Sequence, residues 1–231
     1  MLVSAIVVAA GKSKRFKTKT SKVILKLGSK PVIVYSLGIL NEHPKIKEII
    51  IVANPQNFES LRGIIKKNKF YKAVKVVLGG KKRKDSVAAG LRVINSKADF
   101  VLIHDAARPF ITRDLVSLVI NEAYESKAAI LGVPVKATIK RCKLQGAECM
   151  VKETIDRKNI WEVQTPQVFA RDLILKAYQR FSHSDATDDA MLVERLGAKV
   201  SVVLGSYKNI KITTPEDFII AKGVAYLWKP A

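Results

Sequence analysis

Acidic residues are missing where basic ones crowd. Residues 1–41 contain no Asp or Glu, and neither do residues 60–84. Cysteine is nearly absent as well. Cys142 and Cys149 are the only two, too few for a disulfide scaffold and outside any CxxC spacing, so they point to neither zinc nor redox chemistry and are assigned no function. No apolar run approaches the roughly 18 residues of a membrane span, and the opening Met1–Ala10 stretch lacks a basic leader. The expectation is a soluble, cytoplasmic-type protein without membrane partners, organelle import being left open. Only 12 Gly and 8 Pro interrupt a chain of 231 residues that is 48% hydrophobic, which excludes collagen-like and disordered basic chains.

What is present is charge. The formal net charge is +21, and residues 1–84 hold 20 Lys and Arg against Glu42, Glu48 and Glu59 alone. Such asymmetry signals an anionic partner: a polynucleotide, an anionic membrane, or a small ligand with several phosphates. A nucleic-acid-binding protein is the reading from a different class. It lacks support, since aromatics are 7% and no helix-turn-helix, zinc-finger or RNP pattern occurs. The run Lys66 to Lys75, and Lys81 to Lys84, read as solvated surface that steers anions.

Short β-branched runs at 4–9, 48–53, 74–78, 100–104 and 128–133 alternate with stretches of helical period at 31–40, 55–67, 85–94 and 113–126. Continuously apolar strands are buried on both faces, so the pattern predicts an α/β fold, a mostly parallel sheet with helices on both faces. Ligands of such folds bind at the strand C-termini. After Pro134 the pattern changes: 135–141 and parts of 149–163 alternate apolar and polar, an antiparallel excursion too small to be a domain. Helices follow at 170–179 and 188–196, a strand at 199–204, and a last helix opening at Thr214-Pro215-Glu216-Asp217, a strong start signal.

The first strand runs directly into Ala9-Ala10-Gly11-Lys12-Ser13-Lys14-Arg15. Small residues let backbone NH groups approach an anion. A Walker A loop would need glycine at Ile6, and a dinucleotide fingerprint would need it at Ser13 and Phe16. Lys12, Lys14, Arg15, Lys17, Lys19, Lys22, Lys26 and Lys30 follow within twenty positions. By itself the segment suits a lysine-rich phosphate loop and an ordinary basic turn equally.

Further motifs occur in order: Gly79-Gly80, Asp85-Ser86-Val87, His104-Asp105-Ala106-Ala107-Arg108-Pro109, Thr154-x-Asp156-Arg157, Thr165-Pro166-Gln167, Thr187-Asp188-Asp189-Ala190 and Asn209-Ile210-Lys211-x-Thr213-x-Pro215-Glu216-Asp217. With the first turn and Lys22, they make the whole chain resemble the 2-C-methyl-D-erythritol 4-phosphate cytidylyltransferase family. Ribitol 5-phosphate cytidylyltransferases share its chemistry, but tend to carry serine and valine in place of Ala106 and Ala107. The resemblance implies a Rossmann-like, single nucleotidyltransferase domain over 1–231 that joins CTP to a sugar-alcohol phosphate with Mg²⁺. It implies a β-arm, 134–164, inserted for homodimerisation.

The implied roles are specific. Arg15 and Lys22 stabilise the transition state, and Lys211 touches both substrates. Ala9, Ala10, Gly11, Gly80, Ser86 and Asp105 bind the nucleotide, with Asp105 near Mg²⁺ held mainly by phosphates. Arg108, Thr138, Arg157, Thr165 and Lys211 bind the acceptor, Thr138 and Arg157 across the dimer. Three departures from the family pattern stand out. Ser13 replaces a glycine and Ser21 a proline, which predicts a less rigid loop, and Lys81 replaces an acid, which bears on nucleotide selectivity. His43 and His183 read as incidental loop residues and His104 as a packed strand end. Asp188-Asp189 read as first-turn helix acids as readily as metal ligands, and Trp161 and Trp228 as packing residues.

Overall fold

The computed structural model describes residues 1–16, 20–146 and 148–228; Lys17 and Lys19 lie outside them. The first half alternates strand and helix: β1 (Val3–Val8), a short ribbon of β2 (Lys26–Leu27) and β3 (Lys30–Pro31), α1 (Val32–Glu42), β4 (Ile46–Ala53), α2 (Phe58–Lys67), β5 (Ala73–Leu78), α3 (Arg83–Leu91), β6 (Phe100–Asp105), α4 (Arg113–Ser126) and β7 (Ala128–Pro134). The second half holds β8 (Ile139–Gln145), β9 (Glu148–Ile155), β10 (Trp161–Ala170), α5 (Arg171–Arg180), α6 (Ala190–Glu194), β11 (Ser201–Leu204) and α7 (Pro215–Leu227).

Seven strands form one sheet in the order β11-β7-β10-β6-β1-β4-β5. β1 pairs in parallel with β4 and β6, β4 with β5, and β7 with β11. Both faces are covered, as the unbroken apolar strands require. Val3, Ala5 and Val7 pack with residues of α1, α2 and α4 on one side. Ile6 packs with residues of α3, α5 and α6 on the other. α7 opens as its start signal predicts, with the Thr214 hydroxyl accepting from Asp217 N and the Asp217 carboxylate accepting from Thr213 N and Thr214 N at 2.8 Å. It lays Phe218 against Phe16, ring centroids 5.8 Å apart, and Trp228 packs on Phe110 at 5.1 Å.

The excursion after Pro134 is narrower than 134–164. β8 and β9 form a separate antiparallel ribbon, whereas β10 begins at Trp161 and lies inside the main sheet, antiparallel to both β6 and β7. Gln164, Thr165 and Pro166 disguise it. The ladder to β7 shifts register between Gln164 and Gln167, and this irregularity is what lets a central strand contain proline, which has no NH to donate. The strand expected at 135–141 also starts later, at Ile139.

Candidate active site

Four strand ends converge on one sheet edge, and β1, at the reversal of strand order, sits between β6 and β4. Such a reversal opens a crevice at the carboxyl ends of the strands. A cleft of about 480 Å³ lies there, lined by Ala9, Ala10, Gly11, Arg15 and Lys22 from the first turn, Gly80, Arg83 and Ser86 from the start of α3, and Asp105 and Lys211. Gly79 and Gly80 keep the second wall thin. A Cβ on Gly79 would stand 2.6 Å from Ser86 Oγ, and one on Gly80 2.3 Å from the Asp85 Cβ. The N-terminus of α3 is built around these residues. Lys82 N donates to the Asp85 carboxylate at 3.0 Å, and Gly80 N to Ser86 Oγ at 3.3 Å. An α-helix start at a cleft wall favours anions.

The first turn is held from beneath. Asn57 donates through Nδ2 to Ala9 O at 2.9 Å and to Ser21 Oγ at 3.0 Å, and Asn54 and Asn57 exchange backbone-to-side-chain bonds at 2.9 and 3.0 Å. Ser13 takes φ +49°, the left-handed conformation that glycine adopts freely, and its hydroxyl accepts from Lys22 N at 3.2 Å. The two serines that predict a looser loop each make a tie. The asparagine buttress is invisible to a motif search, although Asn54-Pro55-Gln56-Asn57 after a strand is a recognisable Asx-turn signal.

The correction with most chemical weight concerns Arg83. Read within Lys81–Lys84 as solvated surface, its side chain is only 24% exposed and bridges two buried carboxylates. Nε meets Asp105 Oδ1 at 3.0 Å, and Nη1 meets Asp189 Oδ2 at 2.8 Å. Its neighbours are engaged too, since Lys84 Nζ caps the carbonyls of Phe181 and Ser184, and Lys82 pairs with Asp185. One signal was available: Arg83 is the single arginine in a lysine run, and a planar fork suits two carboxylates as an ammonium does not. Asp189 stands at the N-cap position of α6 without a side-chain capping bond, and its carboxylate accepts from Tyr178 OH at 2.5 Å. Asp188 accepts from Met191 N at 3.1 Å, so this pair is occupied in structural roles.

Asp105 carries a cation on each oxygen, with Lys211 Nζ at 2.5 Å from Oδ2. Burial opposes its charge, but Arg83 and Lys211 outweigh burial and hold the carboxyl well below the usual carboxylate range. Lys22 shows the opposite balance. Burial, reinforced by Lys211 and Arg15, lowers its pKa to about 8.

A second cleft, of about 410 Å³, opens beside the first and contains Arg108 and Thr165. Arg83, Asp105 and Lys211 line both clefts. Arg108 is buried and anchored by Nη1 to Asn209 O at 2.7 Å. Thr165 Oγ1 accepts from Asp105 N at 3.0 Å. His104 is fully buried between Thr165 Oγ1 and Arg108 O, and burial lowers its pKa to about 4, so it is a neutral packing residue. His43 corrects the loop reading: it is buried at the end of α1 against Ser117 Oγ at 3.0 Å. His183 stays exposed. Thr138 and Arg157 do not join either cleft. Both are exposed at the root of the β8–β9 arm, where Arg157 donates to Lys136 O.

Two adjoining clefts lined by cations at the switch point of a Rossmann-like sheet define a nucleotidyltransferase of the α/β class. A sequence profile of the 2-C-methyl-D-erythritol 4-phosphate cytidylyltransferase family matches residues 3–227, and the chain belongs to that family. It is 44% identical over 225 residues to the protein of that name from Caldanaerobacter subterraneus, covering 96% of this chain and 98% of the relative. It is 45% identical to that of Alkaliphilus metalliredigens, covering 96% and 92%. The crystal structure of 4-diphosphocytidyl-2C-methyl-D-erythritol synthase from Anaerococcus prevotii superposes with a TM-score of 0.83 at 32% identity, covering 99% of each chain. The Thermus thermophilus cytidylyltransferase does so with 0.78 at 30%, covering 96% and 98%. No helix among the described residues is long and apolar enough to cross a membrane.

Proposed function

We propose that this chain transfers a cytidylyl group from CTP to 2-C-methyl-D-erythritol 4-phosphate and releases pyrophosphate. The observation that carries the reading is the shared wall: Arg83, Asp105 and Lys211 face both a larger and a smaller cleft, as a reaction between two anions demands. The larger cleft takes CTP, its base and ribose framed by Ala9, Ala10, Gly11, Gly80, Ser86 and Asp105. The smaller takes the acceptor phosphate against Arg108 and Thr165.

An acceptor phosphate oxygen attacks the α-phosphorus in line, a new P–O bond forms, and the bond to the β-phosphate oxygen breaks. The substrate supplies the nucleophile, so the protein positions and neutralises. Arg15 and Lys22 lie over the triphosphate and meet the charge that grows on the α-phosphate and the leaving group. Lys211, at the boundary, touches the transferred phosphate and the acceptor together.

Among the described residues no cluster of three His, Cys, Asp or Glu side chains could hold a metal ion, and Asp105 is the single carboxylate lining the larger cleft. That donor set fits Mg²⁺, which binds through phosphates with one or two carboxylates. The ion would be held mainly by phosphate oxygens, with Asp105, whose oxygens Arg83 and Lys211 already pair, as its one protein carboxylate, and it would supply charge neutralisation at the phosphates. Thr138 and Arg157, which line neither of their own protomer's clefts, act on the acceptor of a partner in a homodimer joined by the arm.

The test is pyrophosphate release with Mg²⁺, all four nucleoside triphosphates, and methylerythritol 4-phosphate and ribitol 5-phosphate as competing acceptors. Turnover with CTP and methylerythritol phosphate is expected. Preference for ribitol phosphate would reassign the acceptor, and no release above background would reject the reaction.

A further inference from the structure

The two cysteines, unremarkable in the sequence, share one face of the arm. In the β8–β9 ladder Cys142 lies opposite Val151 and Leu144 opposite Cys149, so the cysteines stand diagonally across the ribbon, and both are exposed. In a flat ladder a diagonal pair is about 7–8 Å apart, beyond the roughly 4.4–6.8 Å between Cα atoms that a disulfide spans. Two features narrow that gap. A two-stranded ribbon twists more than a wide sheet, and the register shift between Arg141 and Cys142 adds twist at the cysteine itself. The two thiols also influence one another, since Cys149 is the first cause that raises the Cys142 pKa.

We propose that Cys142 and Cys149 are a thiol–disulfide exchange site, at which a low-molecular-weight disulfide such as oxidised glutathione closes an intramolecular bond that clasps the arm. One cysteine thiolate attacks the glutathione disulfide, whose S–S bond breaks. A mixed disulfide forms and one glutathione leaves, taking up a proton. The thiolate of the second cysteine then attacks the mixed disulfide, forming the Cys142–Cys149 bond and expelling the second glutathione. Two protein thiols are oxidised and one disulfide is reduced to two thiols. A bond across the ribbon would tie two strands that make no ladder with the main sheet, and nearly every residue of β9 is exposed in the single protomer. Lys140, Lys143 and Lys152 on the same ribbon favour an anionic reagent. The bond itself does not depend on the catalytic reading; any effect on Thr138 and Arg157 at the arm's root does.

The experiment treats the full-length reduced protein with oxidised glutathione, blocks remaining thiols and measures the intact mass without reductant. The expected product has lost two hydrogens, carries no glutathione, and yields a tryptic peptide linking Cys142 to Cys149; dithiothreitol reverses it. Trypsin cleavage of the native arm slows at least about fivefold in the oxidised form, because local opening is suppressed. Cys142→Ser retains one glutathione on Cys149 and shows no slowing. Stable glutathione adducts on the unmutated chain, or bonds only between chains, would overturn the site. An intramolecular bond that leaves proteolysis unchanged would overturn the clasp. Mass and proteolysis are read without turnover, so failure here and failure of the cytidylyltransferase assay are separate results.

Discussion

Arg83 stands in the wall that both clefts share. Its fork ties Asp105 to Asp189, leaving Asp105 shared with Lys211 rather than bound to it alone. Arg83→Lys offers one ammonium where two carboxylates need a donor. We expect kcat to fall at least about tenfold with CTP affinity within about threefold, and stability to drop by about 3–5 kcal/mol through the uncompensated buried carboxylate. Steady-state kinetics, CTP titration and urea unfolding check this; a loss confined to stability would remove Arg83 from the site's function. Lys22 carries a pH signature. With its pKa lowered to about 8, its charge is complete below that pH and lost as pH rises through it. Therefore kcat/KM for CTP, which reports the free enzyme, should fall above about pH 8. Lys22→Arg, whose guanidinium does not titrate there, should show a lower plateau without that falling limb.

At the scale of elements, the strand-to-helix turns work in pairs. The turn after β4 supports the turn after β1 through Asn57, whose amide meets Ala9 O and Ser21 Oγ. Asn57→Ala leaves Ala9 O and Asn54 N without their side-chain partners. Buried unsatisfied groups cost about 1–3 kcal/mol, and the first turn loses its floor. The expected outcome is a lower denaturation midpoint together with a KM for CTP raised several-fold, while the acceptor KM changes little. Equal rises in both would mean that the turn serves the whole site rather than the nucleotide. The elements themselves were largely legible: α4 runs from Arg113 to Ser126 as its apolar period predicts. β10 was not, because Gln164-Thr165-Pro166-Gln167 lacks the β-branched run that marks its neighbours.

At the scale of the molecule, two features remain to be used: the arm and the charge. If Arg157 serves a partner's acceptor, Arg157→Ala should abolish turnover while leaving CTP affinity nearly intact. Mixing Arg157→Ala with Lys22→Ala protomers should then restore roughly a quarter of the full activity, since half the dimers are mixed and each holds one complete site. Two inactive variants that stay inactive when mixed under exchanging conditions would place Arg157 elsewhere. The lysine excess divides into cations that line the clefts and cations such as Lys66, Lys67 and Lys69 that remain exposed. If the latter steer anionic substrates, raising ionic strength should lower kcat/KM more than kcat; an equal fall in both would count against steering.

The sequence by itself determined the α/β class and the mostly parallel sheet, because apolar period and turn chemistry are local properties that neighbouring residues carry, while the nucleotide entered through the resemblance of its ordered motifs to a family. That resemblance also marked Arg15, Lys22, Asp105 and Lys211, which the cleft brings together. Only the tertiary structure decided that Arg83 is buried between Asp105 and Asp189, that β10 returns between β6 and β7, and that Cys142 and Cys149 share a face. Each of these depends on strand order, register or twist, which set contacts between positions distant along the chain. A run of four basic residues reads the same whether all four face water or one of them points inward to two carboxylates.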